Sequence, residues 1–133
     1  MGLRWYSTVI NCRDPRRLAR WWAETLGWHV LHDTDEECVV IPAHLDQDTF
    51  RRTPWEQVPP GLVFVPVEDE KAGPNRLHLD LACYLDDDRD GLIAGLVERG
   101  ASYADVGQPD DVSWTVLRDP EGNEFCVLSA REY

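Results

Sequence analysis

The sequence predicts an α+β fold in which two βαβββ repeats form a curved mixed sheet with the helices on its convex side. Two observations support this prediction. The order strand, helix, strand, strand, strand occurs twice along the 133 residues. The signals that begin and end the helix are also in register: Asp87 follows Asp14, and Gly100 follows Gly27, by 73 residues in each case. The two copies are therefore expected to share one core.

The length is that of one domain of common size. We expect a single domain over residues 1–133, with repeat halves at approximately 1–70 and 75–133. A chain of this size can bury a sizeable core without disulfides or a structural metal.

The first half begins with a strand, a helix and a hairpin. An aromatic and β-branched run predicts a strand over residues 5–12. Asp14 is a good N-cap, and Pro15 suits the first helical position because its missing N–H has no partner there. Apolar residues at helical spacing continue to Gly27, which is the residue type that commonly follows a helix end. The two hairpin strands are predicted at residues 28–32 and 38–41.

A long irregular segment separates this hairpin from the fourth strand. Residues 42–61 hold four prolines and several charges, and they predict a loop without regular structure. Loops of this length in a compact domain are often functional. Trp55 lies in this segment, which is long enough to close over a binding face as a lid. The fourth strand is predicted at residues 62–67.

The second half repeats the pattern after an acidic connector at residues 68–75. A strand is predicted at residues 77–84, and the acidic run at 86–88 offers N-caps for a helix that ends at Gly100. The remaining strands are predicted at residues 102–106, 112–118 and 124–129, with a turn at 119–123.

Charge and composition exclude several classes of partner. Acidic residues number 25 against 13 basic ones, which gives a formal net charge of −12. Nucleic acid is excluded because phosphate binding needs a basic surface, and anionic membrane surfaces are disfavoured for the same reason. No apolar run approaches the roughly 20 residues of a transmembrane helix. A small organic ligand that is neutral or cationic remains compatible with this charge.

We expect a cytoplasmic protein, in which the four cysteines would be free thiols. The four cysteines are widely scattered, without the paired spacing of a zinc cluster. In a cytosolic chain such residues are usually free and buried. They are Cys12, Cys38, Cys83 and Cys126.

His78 and Asp80 are the candidate catalytic residues. Along a strand they share one face, whereas Leu77, Leu79 and Leu81 share the other and are expected against the helix. His78 and Asp80 would then face the concave side, where a histidine beside a carboxylate can act as a general base or anchor a polar ligand. The alternative is that His78 makes only ordinary hydrogen bonds.

The candidate ligand-binding residues are Ser7, Trp55, His78, Trp114 and Cys126. The repeat predicts that Ser7 and Cys126 point into the same cavity as His78. Cys126 could pair with the histidine as a nucleophile, or be a small residue that fills a cavity wall. Trp55 and Trp114 could supply a flat aromatic wall, whereas Trp21, Trp22 and Trp28 fit the helix–sheet core.

Short motifs in this order resemble a known family. The first half carries Asp14-Pro15, Trp21-Trp22 and Leu26-Gly27-Trp28. The second carries His78-Leu79-Asp80-Leu81, Arg99-Gly100-Ala101 and the run from Asp119 to Cys126. Together they resemble the vicinal oxygen chelate superfamily, which includes glyoxalase I, extradiol dioxygenases and bleomycin-resistance proteins, and in particular its bacterial glyoxalase-like subgroup. The resemblance spans essentially the whole chain.

The resemblance also implies where a metal would bind. In metal-using members the ligands occupy the positions that correspond here to Ser7, His78 and Cys126. Only His78 is an ordinary ligand of the family. A serine hydroxyl is a poor ligand, and a thiolate with one histidine favours zinc or copper(I) over the metals of an oxygen-rich site. We therefore expect no metal ligands and no cofactor, a divalent metal being the less favoured alternative.

The resemblance implies a small-molecule-binding protein that acts without metal, like the bleomycin-resistance-type sequestering members. It also implies a homodimer, in which part of the pocket is built with a partner chain. One alternative is a lyase, isomerase or dioxygenase of the same superfamily that uses His78 with or without a divalent metal. Another is a regulatory or interaction module with a closed cavity.

Overall fold

The computed structural model describes residues 2–110 and 112–130. The ends of the predicted domain, residue 1 and residues 131–133, lie outside the described residues, and the single domain stays a prediction. The chain divides into two compact units, which we call unit 1 (residues 1–70) and unit 2 (residues 71–133). No helix among the described residues is both long and apolar enough to cross a membrane.

Unit 1 is one mixed four-stranded sheet with a helix on one face. Its elements are β1 (Ser7–Cys12), α1 (Pro15–Leu26), β2 (His29–Asp33), β3 (Cys38–Ile41), α2 (Gln47–Arg52), a 3₁₀ helix (Trp55–Gln57) and β4 (Gly61–Pro66). The strand order is β1-β4-β3-β2. The β1–β4 pair is parallel, and the other two pairs are antiparallel.

Local signals set both ends of α1. The Asp14 carboxylate accepts a hydrogen bond from the Arg17 amide at 3.2 Å, and Pro15 is the first helical residue. Gly27 ends the helix with a φ of 65°, a left-handed conformation that costs glycine little. The helix packs on β3 and β4. Its buried residues beyond Pro15 are Leu18, Ala19, Trp21, Trp22 and Ala23.

The predicted irregular loop at residues 42–61 is wrong, because it contains α2 and the 3₁₀ helix. The Asp46 carboxylate caps α2 by accepting a hydrogen bond from the Thr49 amide at 2.7 Å. The four prolines of this segment all lie outside residues 47–52. Nothing therefore interrupts the hydrogen bonds of this short helix.

Unit 2 repeats the arrangement of unit 1. It contains β5 (Leu79–Ala82), α3 (Arg89–Glu98), β6 (Ser102–Tyr103), β7 (Thr115–Arg118) and β8 (Glu124–Leu128). The strand order is β5-β8-β7-β6, with β5 and β8 parallel and the other pairs antiparallel. The α+β class with two βαβββ-like units is thus confirmed.

Three strands of unit 2 are shorter than the predicted strands at residues 77–84, 102–106 and 112–118, and the start of α3 also differs. Strand β5 begins at Leu79, and Leu77 is 90% exposed, so the expectation that Leu77 packs against a helix is wrong. The chain before β5 is held by Glu124 through the Asn75 amide instead of by strand pairing. The residue that precedes α3 is Asp88, whereas Asp87 accepts a hydrogen bond from the Tyr84 amide at 3.1 Å.

Candidate functional site

Strand pairing in unit 2 sets three side chains in a row across one face of its sheet. Asp80 on β5 is the register partner of Cys126 on β8, and Cys126 is the partner of Val116 on β7. Side chains of register partners point to the same face. Adjacent strands lie about 4.8 Å apart, so the row from Asp80 to Val116 spans roughly 10 Å.

His78, Asp80 and Cys126 form a compact cluster on this face, which we call the unit 2 cluster. His78 Nε2 lies 3.2 Å from Asp80 Oδ1, and both side chains are about half exposed. One nitrogen, oxygen or sulfur atom from each of the three residues lies within 4.8 Å of the others. Cys126 is 7% exposed, so its thiol lies beneath the two polar side chains.

The Cys126 thiol is held in its protonated form. Burial raises its pKa above the ordinary value of 9.0, and the charge of Asp80 together with a hydrogen bond to that carboxylate raises it further. A thiolate is the reactive form of cysteine. At neutral pH the raised pKa keeps the Cys126 thiol protonated beside Asp80, and it lacks the character of an activated nucleophile.

Small apolar side chains surround the thiol and continue the face. Ala104, Val116 and Leu128 pack with Cys126. Trp114 directly precedes β7, and continuing the strand alternation by one residue predicts that it shares the face of Val116. Trp114 is 39% exposed. The arrangement is a buried apolar floor with His78 and Asp80 beside it.

A buried carboxylate, Glu124, was missed as a site residue by the sequence analysis. Glu124 is 8% exposed and accepts hydrogen bonds at 2.8 Å from Lys71 Nζ and from the Asn75 amide. Arg118 Nε lies 3.8 Å from the same carboxylate. Continuing the β5–β8 register by one residue sets His78 beside Glu124. Glu124 therefore fixes the segment that leads into His78.

Electrostatics keep Glu124 ionised. Burial acts to raise its pKa, but the hydrogen bond from Lys71, the bonds from backbone amides and the charge of Lys71 outweigh burial and lower it. The sequence carries one sign that Glu124 belongs to the site: it is a glutamate at a position where strand alternation predicts a buried side chain. Its partners lie about 50 residues earlier, and sequence spacing alone cannot identify them.

Ser7 and Trp55 lie in unit 1. Ser7 is the first residue of β1, where it pairs with Gly61 and is partly buried. Trp55 is 57% exposed, and the Arg4 guanidinium lies over its ring at 4.9 Å from the centroid. Tyr6 packs on the same indole at 5.1 Å. The ligand-binding roles of Ser7 and Trp55 stay predictions.

The unit 2 cluster offers one nitrogen, one oxygen and one sulfur donor. Zinc accepts this mixture in tetrahedral sites that keep a fourth position open. Magnesium, calcium and manganese favour sites built from oxygen, which this set does not supply. The donor set therefore fits zinc, and binding would require the Cys126 thiol to lose its proton.

Comparison with known proteins identifies a family. Residues 7–128 match the sequence model of the family described as glyoxalase-like domain. No curated protein matches the chain. The family match covers both units and every residue of the unit 2 cluster.

Several solved structures share the fold. A glyoxalase/bleomycin resistance protein/dioxygenase family enzyme from Burkholderia phytofirmans PsJN is 16% identical, with a TM-score of 0.66 over 94% of this chain and 97% of its own. A glyoxalase-related enzyme from Fulvimarina pelagi is 14% identical, with a TM-score of 0.64 over 95% and 87%. Oxidase ChaP-H2 is 19% identical, with a TM-score of 0.60 over 100% and 97%. At these identities the likeness concerns the fold alone.

Proposed function

The chain belongs to the glyoxalase-like domain family, and from this premise we propose that it binds a small organic molecule on the face of unit 2 without a resident metal. Sequestration of the bleomycin-resistance type is the activity that this proposal assigns. The observation that carries it is the pairing of His78 with Asp80 above the buried Cys126 thiol. Asp80 Oδ1 lies 3.2 Å from His78 Nε2, and burial together with the Asp80 charge raises the pKa of the Cys126 thiol, so a metal would have to displace the His78–Asp80 pairing and the thiol proton.

The chemistry of the face supports a neutral or cationic ligand with a flat apolar part. The Asp80 carboxylate is half exposed and can accept a further hydrogen bond or pair with a cation. The partly exposed ring of Trp114 offers a surface for stacking and for cation–π contact. The net charge of −12 favours the approach of cations over anions.

Two planar dyes of opposite charge test this proposal. We expect thioflavin T, a cation, to bind saturably at micromolar concentrations, and 8-anilinonaphthalene-1-sulfonate, an anion, to bind much more weakly. Asp80→Asn should weaken thioflavin T binding about fivefold, which corresponds to roughly 1 kcal/mol for a charge pair near the surface. Asp86→Asn removes the same charge from an exposed position of unit 2 and is the matched control.

Equal affinity of Asp80→Asn and the unaltered protein for thioflavin T would contradict the placement of the ligand at Asp80. Preference for the anionic dye would contradict the proposed ligand class. Absence of saturable binding of either dye would contradict the binding function itself.

The second candidate is an enzyme of the same superfamily, such as a lyase, isomerase or dioxygenase. It is favoured by the three donor atoms within 4.8 Å of one another. His78, Asp80 and Cys126 would hold the metal, and a bound zinc would act as a Lewis acid that polarises a substrate carbonyl. Without metal, His78 oriented by Asp80 would accept a proton from the substrate.

Metal analysis distinguishes the two candidates. Protein prepared without a histidine tag should contain far less than one equivalent of zinc, nickel, iron or manganese if the first proposal holds. Cobalt(II) added to the protein gives intense thiolate-to-metal absorption when a cysteine coordinates it. A tight one-to-one complex with that absorption, lost in Cys126→Ser, would favour the enzyme.

The proposal also includes assembly as a homodimer and a location in the cytoplasm. A homodimer is supported by large apolar side chains that are strongly exposed, among them Leu3, Trp5 and Leu77. None of the four cysteines forms a disulfide within the part of the chain that the structure describes, which supports a reducing compartment such as the cytoplasm.

A further inference from the structure

Arg89 is the first residue of α3, and its side chain reaches across the edge of the unit 2 sheet. Its Nη2 donates to the backbone oxygens of Val127 at 2.6 Å and Ser113 at 3.3 Å, and lies 3.0 Å from Thr115 Oγ1. Its Nε donates to the Leu128 oxygen at 3.3 Å. Only 22% of the side chain is exposed.

All four acceptors lie at one corner of the sheet. Strand β7 begins at Thr115 and β8 ends at Leu128, and the antiparallel register pairs Thr115 with Val127. Two of the acceptors, Ser113 and Thr115, directly flank Trp114 in the sequence. A third, Leu128, packs against the apolar floor of the site.

We infer that Arg89 is a positioning residue that holds Trp114 in place as the aromatic wall of the site, an inference that rests on the proposed binding function. Trp114 lies just outside β7, so the regular hydrogen bonds of the strand pair do not fix its backbone. The Arg89 guanidinium bonds the residues on both sides of Trp114 and ties them to the end of β8. It thereby restricts the indole before any ligand arrives.

The geometry of the side chain explains why arginine stands at this position. A guanidinium presents five N–H donors in a planar fork, which suits acceptors spread over two strands. Arg89 meets three acceptors from Nη2 and the Leu128 oxygen from Nε, whereas a lysine ammonium, on a shorter side chain, has its donors at a single point and cannot bond both groups of acceptors. The neighbouring Asp90 carboxylate lies 3.9 Å from Arg89 Nη1 and is 95% exposed, so that ion pair contributes little.

The test follows Trp114 directly by ¹⁹F NMR of protein labelled with 5-fluorotryptophan. Trp114→Phe identifies the Trp114 resonance among the six tryptophans. In Arg89→Met we expect this resonance to move toward the shift of free 5-fluorotryptophan, while those of Trp21 and Trp22 stay in place. Arg89→Lys should also displace it, because the charge is retained but the fork is lost. Arg76→Met, which removes an exposed arginine of unit 2, is the matched control.

An unchanged Trp114 resonance in folded Arg89→Met would overturn the inference, as would full restoration in Arg89→Lys. If Arg89→Met does not fold, Arg89→Lys decides the question alone: a displaced Trp114 resonance supports the inference and an unchanged one overturns it. These readings need no ligand, so they stand even if thioflavin T does not bind and the proposed function fails.

Thioflavin T binding by single and double variants then tests whether the positioning of Trp114 by Arg89 affects ligand affinity. Arg89→Met and Trp114→Phe should each weaken binding, and the double variant should bind no more weakly than Trp114→Phe alone, because Arg89 acts through Trp114. Additive losses in the double variant would overturn the inference by showing that Arg89 acts independently of Trp114.

Discussion

Replacing Glu124 by glutamine should destabilise the protein at neutral pH. The carboxylate is buried and accepts hydrogen bonds from Lys71 Nζ and the Asn75 amide, each at 2.8 Å. Hydrogen bonds to charged groups contribute about 1.5–3 kcal/mol each, and the amide of glutamine retains one weakened acceptor. Lys71 is 23% exposed, so water partly replaces its lost partner. We therefore expect a loss of roughly 2 kcal/mol in the free energy of unfolding.

The loss should depend on pH in a defined direction. The pKa of Glu124 is lower in the folded protein than its ordinary value of 4.5. A carboxyl group of this kind stabilises the fold fully above its unfolded pKa, and the contribution disappears as the pH falls through the folded pKa. The difference between the unaltered protein and Glu124→Gln should therefore be full at pH 7 and shrink progressively below pH 4.5.

Urea unfolding at pH 7, 5 and 3.5 measures this difference. Glu98→Gln, an exposed carboxyl on α3, is the control and should change stability by less than about 0.5 kcal/mol. Equal stability of Glu124→Gln and the unaltered protein at pH 7 would refute the account of the Glu124 network. A difference that grows on acidification would refute the sign of its pKa shift.

Three further predictions concern the core, the thiol and the assembly. Leu18→Ala in α1 should cost about 2–5 kcal/mol in chemical unfolding, because Leu18 is 1% exposed; a loss below 1 kcal/mol would contradict its place in the core. Iodoacetamide at pH 7 should alkylate Cys83, which is partly exposed, faster than Cys126, whose burial raises its pKa, as peptide mass spectrometry can measure. Light scattering at micromolar concentration should give twice the chain mass of 15.3 kDa, and the single-chain mass would contradict the homodimer.

Local signals explain why α1 could be predicted closely. Asp14 and Pro15 act on the first turn of α1, and Gly27 acts on its last turn. Because each signal is local to one end of the helix, the sequence contains what is needed to place both ends. The helix α2 was missed because the surrounding prolines dominated the interpretation. The start of α2 does carry a local signal: the Asp46 carboxylate accepts a hydrogen bond from the amide of Thr49, three residues later.

Long-range contacts explain what the sequence could not predict. The segment before β5 is held by the Asn75 amide, which donates to a glutamate 49 residues later, and no local pattern reports this contact. Strand alternation did predict a common face for His78 and Asp80. Bringing Cys126 beside them required the parallel β5–β8 register, which the repeat suggested and the structure supplies.

The central claim is that a small organic molecule binds beside Asp80 without metal. Equilibrium dialysis of thioflavin T in excess EDTA tests it most directly, with the unaltered protein and Asp80→Asn measured side by side. We expect EDTA to leave the affinity of the unaltered protein unchanged and Asp80→Asn to bind about fivefold more weakly. Loss of dye binding on addition of EDTA, restored by added zinc, would contradict it.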